Sequence, residues 1–409
     1  MKVLVSAYAC DPRGGSEPGV GWNWSRAMAR HHDVWVLTRS NNREEIEGEL
    51  RRWPQPRMRF LYLDLPPWAR SWKRGQRGIR LYYYLWQLLA GRSARRAHAE
   101  IGFDLVHHIT FATAFVPALT FLPGVPFVLG PVGGGVRAPW RLTAEWGPRG
   151  VVFEAMRAIR RGVARYLDPL VRLTWRRATV ILAQNPETLA WLPARHRVKS
   201  RVVPNAGIDP QEIAEPDRPL GTERLAVAAG RLVHLKGTSL AIRALAAIAA
   251  DVPDLRLVVV GKGRDRDRLE RLARELGVAN RVKFTGWLER PELLAMLGRA
   301  DVLLFPSMHE ECGAVVVEAL ARGTIPIVLG AGGPPVLSGD AGYVVPVKGV
   351  SRGAVVRSLA EILRSHDPRA DGRRRAAIAR ARSMSWSHKL DALDGLLRPS
   401  PFPQTGARP

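Results

Sequence analysis

The chain has 409 residues, 46% hydrophobic and 24% charged, and can bury more than one core; length alone predicts two or three domains. Its net charge of +25 rests on 62 basic residues, of which only eight are Lys, so an anionic partner is expected for the Arg excess. Two cysteines, Cys10 and Cys312, exclude a disulfide framework and make a reducing cytosol the default.

The opening MKVLVSAYAC has too short an apolar run and no cleavage-type end for a signal peptide, and Val3 to Ala7 reads as a buried strand. In the loop ACDPRGGSEPGVGWNW, Gly14 and Gly15 permit tight backbone geometry, and Ser16 is placed to cap a helix starting near Glu17 and Pro18. A Gly-rich first loop is common, so a plain capping turn is an equal reading. Strands follow at Val34 to Thr38 and Arg57 to Leu65. The segment 66–98 then interrupts the pattern as a helical insertion. It interleaves Arg70, Lys73, Arg74, Arg77, Arg80, Arg92, Arg95 and Arg96 with Trp68, Trp72, Tyr82, Tyr83, Tyr84 and Trp86. Basic and aromatic residues together suit an anionic membrane surface, stacking on RNA or simply a solvated face. The membrane reading is favoured, since no nucleic-acid motif appears.

A strand from Asp104 to Ile109 ends in His107 and His108. A His at the C-terminal edge of such a strand faces a cleft, and since alternation puts the two on opposite faces, one is expected there and the other to be packed. The apolar stretch Ile109 to Leu129 is broken by Pro117, Pro123 and Pro126. It reads as strand, short helix and strand, not a membrane span. The strand Pro126 to Leu129 runs into GPVGGG, a flexible loop with Gly133 and Gly134. A second basic cluster follows on a helical segment: Arg157, Arg160, Arg161, Arg165, Arg172, Arg176 and Arg177. The strand Thr179 to Ala183 leads to a helix start at Asn185-Pro186. Breakers in RVVPNAGIDP, residues 201–210, place a domain boundary there.

The second half opens on a strand at Leu225 to Ala229. In GRLVHLKG, Arg231 and Lys236 sit before a helix from Thr238 to Ala250, spaced so that both reach one diphosphate. A strand at Arg256 to Val260 ends in the glycine turn Gly261 to Gly263. Another, Val282 to Phe284, runs into the turn Thr285-Gly286-Trp287. Asp265-Arg266-Asp267 matches a short metal-binding pattern, but it opens a charged helix and reads as a helix-terminus charge pattern. With no other metal-ligand spacing, metal-independent chemistry without a cofactor is expected. The stretch DVLLFPSMHEECGAVVVEALARGTIPIV, residues 301–328, reads as strand, polar loop, helix beginning near Gly313 and strand. That unit aims the amides of Cys312, Gly313 and Ala314 at an anion such as a diphosphate. Glu318 would then accept from a ribose, and Glu310 would face a sugar. Otherwise Glu310 and Glu311 merely favour the helix N-terminus and Glu318 is solvated.

Glu310-x7-Glu318, with Gly313 between them and ALARGTIPIV after, resembles the signature of the retaining glycosyltransferases of family 4, the bacterial group 1 enzymes. Where that family usually shows Gly-Phe after the first Glu, this chain has Glu311-Cys312, which implies a more acidic sugar pocket. The resemblance covers nearly the whole chain. It implies an α/β GT-B fold: a Rossmann-like acceptor-side domain (1–203), a Rossmann-like sugar-nucleotide domain (204–380), a helix crossing back (381–398, Ser383 to Leu397) and a disordered tail (399–409). It also implies that Arg231, Lys236 and Glu310 act in catalysis. Gly14, Gly15, Gly261, Cys312, Gly313, Ala314 and Glu318 would complete the donor site, while His107, His108, Gly133 and Gly134 lie on the acceptor side. A family His near Gly130-Pro131 has no counterpart here. The expected reaction moves a sugar from a nucleotide-diphosphate sugar to a glycan or lipid-linked acceptor, in the cytoplasm or on the inner face of the cell membrane. A noncatalytic sugar-nucleotide or lipid-binding protein, and a GT-B phosphorylase or epimerase, are the alternatives.

Overall fold

The computed structural model describes residues 1–70, 78–111, 113–215, 224–367 and 371–397. Two parallel sheets organise it. The first holds β1 (Lys2–Ala7), β2 (Asp33–Thr38), β3 (Met58–Tyr62), β4 (Leu105–Thr110), β5 (Phe127–Val132), β6 (Val180–Ala183) and β7 (Ser200–Val202), in the order β3-β2-β1-β4-β5-β6-β7. The second holds β8 (Leu225–Ala229), β9 (Arg256–Val260), β10 (Val282–Gly286), β11 (Val302–Phe305), β12 (Ile325–Leu329) and β13 (Tyr343–Val345), in the order β10-β9-β8-β11-β12-β13. Their central strands are buried almost throughout, and β8 and β11 are unbroken apolar runs, because helices cover both faces, which is what a parallel sheet requires. In each sheet the order reverses once, between β1 and β4 and between β8 and β11. Loops leaving the C-terminal ends of those strands are where an open α/β sheet binds ligands.

Most expected strands are present with ends shifted by one to three residues. β7 and β13 went unforeseen because three residues are too few for a hydrophobic period to show. The expected short helix between β4 and β5 is absent among the described residues, and turns and irregular chain fill that connection. The first-loop helix begins at Ser16, with Gly15 in extended backbone at its N-cap.

The basic-aromatic segment departs in part from its expected role: Trp68, Arg92, Arg95 and Arg96 are exposed, but three of its aromatics are not. Residues 71–77, with Trp72, Lys73, Arg74 and Arg77, lie outside the described residues. Beyond them runs the helix Ile79–Ile101, which turns Tyr82, Tyr83 and Trp86 into the first core. Tyr83 Oη donates to the Pro117 carbonyl (2.9 Å) and Trp86 Nε1 to that of Leu63 (2.7 Å). These aromatics are structural, so they cannot lie on a membrane.

The last helix, Trp386–Leu397, starts three residues later than expected, and the residues of the tail lie outside the described ones. Trp386, Leu390 and Leu393 join the first sheet's core beside Trp24. Lys389, fully buried, donates to the carbonyls of Pro204 (2.7 Å) and Ala206, and so ties this helix to the chain passing between the two sheets. Burial lowers its pKa from 10.5 to about 8. Between those values the unfolded chain binds the extra proton, so stability gains with rising pH there. Thermal unfolding of wild type and Lys389→Met at pH 7.5 and pH 10 checks this. The wild type should gain on the variant by about 2–3 kcal/mol at the higher pH, and an unchanged difference would refute it.

Candidate functional site

At the C-terminal end of β8 the chain turns through Gly230 and Arg231 to a short helical turn, His234–Lys236. Gly237 ends that turn at φ +66°, where an added Cβ would stand 2.0 Å from the Pro306 carbonyl oxygen. This close approach brings Lys236 to the loop after β11, where its Nζ forms an ion pair with Glu310. Arg231 is exposed on the same rim. Gly261, after β9, sits so near Gly230 that a Cβ would collide with its carbonyl at 1.9 Å. The glycine turns of neighbouring strands therefore close against each other beneath Arg231 and Lys236.

The helix Ala314–Ala321 follows the β11 loop with Gly313 at its N-cap in the left-handed region, φ +90°. The N–H groups of Gly313 and Ala314 have no acceptor among the described residues, and so remain open to an anion. Cys312 is buried, which pushes its thiol up to about 11 despite nearby Lys389, and its role is packing rather than reaction. Glu318 accepts from Arg290 Nε at 3.0 Å. Arg290 also holds Glu212, with Nη2 to Oε2 at 2.9 Å. Burial raises the Glu318 carboxyl above its ordinary range against the pull of Arg290. The carboxylate foreseen for a ribose is thus held by an arginine that sequence spacing did not reveal, 28 residues earlier.

Glu311 goes where neither reading of it placed it. Its carboxylate leaves its own sheet's side and enters the other: Asn185 Nδ2 and Thr188 Oγ1 donate to Oε2 at 3.0 and 3.2 Å. Asn185 Nδ2 also donates to the Glu311 carbonyl (2.7 Å). Gly133 lies so close that a Cβ there would be 2.9 Å from the Glu311 side chain. Arg161 braces the same loop from behind, donating to the carbonyls of Val136 (2.7 Å) and Gly135 (3.2 Å). Burial raises the Glu311 carboxyl, with its hydrogen bonds opposing. The acidic residue therefore does not widen the acidity of a sugar pocket; it closes the seam between the sheets. Glu187, accepting from the Gly332 N–H at 2.8 Å, is a second such contact. The helix start at Asn185-Pro186 was the one legible sign of this seam.

The paired histidines need correction. Both are buried. His107 Nε2 pairs with the Gly130 carbonyl (2.7 Å), and His108 lies between Ser6 Oγ (3.0 Å) and Tyr83 Oη (3.2 Å). Burial lowers them to about 4 and about 3, so both are neutral packing groups and neither presents its ring to an acceptor. Gly14 and Gly15 begin the helix Ser16–Met28 after β1; Gly14 N–H closes a turn on the Asp11 carbonyl (3.3 Å). A further histidine, His309, went unnoticed. It is largely buried, lowered to about 3 by burial and by Arg157, Arg161 and Lys236, with Nε2 3.6 Å from Glu311.

Residues 210–383 match the family model of glycosyl transferases group 1. A 2-deoxystreptamine glucosyltransferase of Streptomyces kanamyceticus is 35% identical over 206 residues, 46% of this chain and 49% of that one. A D-inositol 3-phosphate glycosyltransferase of Corynebacterium aurimucosum is 32% identical over 225 residues, 53% of this chain and 50% of that one. The matches thus span about half the length of these curated relatives or less. Among solved structures, Anabaena HepE in complex with UDP aligns over 97% of this chain and 99% of its own, with 18% identity and a TM-score of 0.62. WaaG, a glycosyltransferase of lipopolysaccharide biosynthesis, aligns over 97% and 100%, with 19% identity and a TM-score of 0.57. Both show the two-sheet GT-B fold.

Glu311→Ala removes the carboxylate that Asn185 Nδ2 and Thr188 Oγ1 share across the seam. Amide exchange at 133–136 should accelerate by about tenfold or more, the equivalent of about 1.4 kcal/mol of local opening. Unchanged exchange there in a folded variant would contradict the seam assignment.

Proposed function

We propose that this chain, whose residues 210–383 match the family model of glycosyl transferases group 1, moves a sugar from a nucleoside-diphosphate sugar to a hydroxyl of a glycan or lipid-linked acceptor, with retention at the anomeric carbon as in family 4. One observation carries the reading: the Lys236–Glu310 pair stands beside a helix N-terminus whose first amides, Gly313 and Ala314, lack partners among the described residues. That combination suits a diphosphate bearing a sugar. The relatives named as glycosyltransferases support it, and the UDP of the HepE complex makes uridine diphosphate sugars the first donors to try.

In this reading the diphosphate rests on the amides of Cys312 to Ala314, and Arg231 and Lys236 offset the charge that grows on it as the bond to the anomeric carbon breaks. Glu310, released from Lys236 as the diphosphate takes the cation, faces the sugar. Glu318 accepts from the ribose hydroxyls, sharing its carboxylate with Arg290. The acceptor hydroxyl attacks from the face the diphosphate leaves, a new carbon–oxygen bond replaces the old one, and the hydroxyl proton passes to the diphosphate. Neither metal nor cofactor has a part. Residues 1–203 form the acceptor side, 204–380 the donor side, and 381–398 return to the first. The enzyme works in the cytoplasm, and the chain's basic excess supports an anionic membrane surface on its inner face as a further partner.

Lys236→Ala should lower turnover of the accepted donor by about 10²–10³-fold without changing the unfolding temperature by more than a few degrees, and the NMR coupling of the wild-type product should show a retained anomer. An inverted product would sink the mechanism, and full turnover in the variant would remove Lys236 from it.

A further inference from the structure

The helix Gly147–Tyr166 has its polarity reversed relative to a helix on a soluble protein. Val152, Met156, Ile159, Val163 and Tyr166 recur at intervals of four, three, four and three, one face of an α-helix, and that face is bare. Val152 is 58% exposed, and Ile159 and Tyr166 are each 66% exposed; Leu167 continues the stripe at 72%. The opposite face, turned to the protein, carries Glu154, Arg157, Arg161 and Arg165, which line a pocket of about 400 Å³ with Arg137 and Trp146. A helix that hides its arginines and displays its aliphatic residues is built for contact with something apolar.

The rim of the stripe identifies the occupant. Arg160 sits at its edge, on the exposed side of the buried Arg161. Around Tyr166 opens a second pocket of about 510 Å³, lined by Arg165, Arg172 and Arg195 with no acidic residue. An apolar stripe edged by arginine and ended by a tyrosine matches an interface with acyl chains below and phosphates above. A second copy of the chain fits badly, because a two-fold pairing of this face would set the same arginines against each other. Among the described residues no helix is long and apolar enough to cross a membrane, so contact would be lateral.

We propose that the helix Gly147–Tyr166 lies on an anionic lipid bilayer, its stripe from Val152 to Tyr166 entering the headgroup–acyl boundary while Arg160, Arg172 and Arg195 meet lipid phosphates. This rests on the membrane part of the functional reading and not on its chemistry. It moves the contact away from the basic-aromatic segment, whose Tyr82, Tyr83 and Trp86 are core. Because Arg161 on the same helix braces the loop 133–136 at the seam, a membrane so placed lies directly behind the acceptor side of the cleft.

Co-sedimentation with vesicles tests it, using mixed phosphatidylglycerol and phosphatidylcholine against phosphatidylcholine alone. Wild type should pellet with the mixed vesicles, and the double variant Ile159→Glu, Val163→Glu should partition about tenfold or more less. Both substituted residues are exposed, so unfolding temperatures should match. Val344→Glu, at an exposed apolar residue on β13 of the second sheet, should bind as wild type does. If wild type ignores anionic vesicles, the membrane reading fails with the helix assignment. If the double variant binds as well as wild type, the helix assignment alone fails. A wild-type dimer that the double variant dissolves, without vesicle binding, would give the face to a second copy and overturn the proposal. Turnover on a soluble acceptor in the same preparations reports on the chemistry independently.

Discussion

A carboxylate drawn largely out of water must be met by donors, and Glu311 is met by donors that belong to the other sheet's side of the molecule: Asn185 and Thr188. Satisfying that one group fixes how the loop after β11 sits against the loop after β5. The residue before it is thereby committed as well. With Glu311 turned outward across the seam, Glu310 is left on its own side and pairs with Lys236. The placement of Glu310 beside Lys236 is thus set by a bond made across the seam. In place of the Gly-Phe usual at these positions, Glu311-Cys312 supplies a polar anchor and a buried packing group.

A second tie works with it. Lys389 reaches the carbonyls of Pro204 and Ala206 from the last helix, and Arg26 clasps Asp209 at 2.7 Å through both oxygens. The Trp386 ring covers Gly207, where a side chain would strike it at 2.6 Å. The passage between the sheets is therefore gripped on several sides, and any hinge motion in a transfer cycle must work against these contacts. A buried lysine with a lowered pKa is a costly way to hold a backbone. It is tolerated because it pairs with two carbonyls that are otherwise left without donors when the linker is covered.

The parallel sheets were legible because buried strands such as β8 and β11 are unbroken apolar runs, and because Gly-rich turns follow them at their C-terminal ends. That Arg231, Lys236 and Gly313 lie in the turns after these strands was legible for the same reason. What failed were inferences that needed a side chain's surroundings. Alternation correctly put His107 and His108 on opposite faces, but it could not show that both faces are covered. Counting arginines among aromatics suggested a membrane surface at 66–98, whereas the 3.6-residue period of that helix turns Tyr82, Tyr83 and Trp86 inward. In the segment 147–166 charge drew the eye to Arg157, Arg161 and Arg165, and the aliphatic stripe between them passed unread. Its meaning depends on which face is buried, and sequence alone does not specify that. Arg290 and Asn185 reach the site from distant turns, and no local pattern announces them.

The central claim is that a nucleoside diphosphate sits on the Gly313–Ala314 amides with its ribose at Glu318. Thermal unfolding with UDP, GDP, ADP and dTDP, each in excess, tests it most directly in wild type and Glu318→Ala. A ligand at about 100 times its dissociation constant stabilises by about 2.7 kcal/mol. The account predicts a clear rise with one nucleotide that is lost or much reduced in the variant. No rise with any of the four, or a rise of equal size in Glu318→Ala, would contradict it.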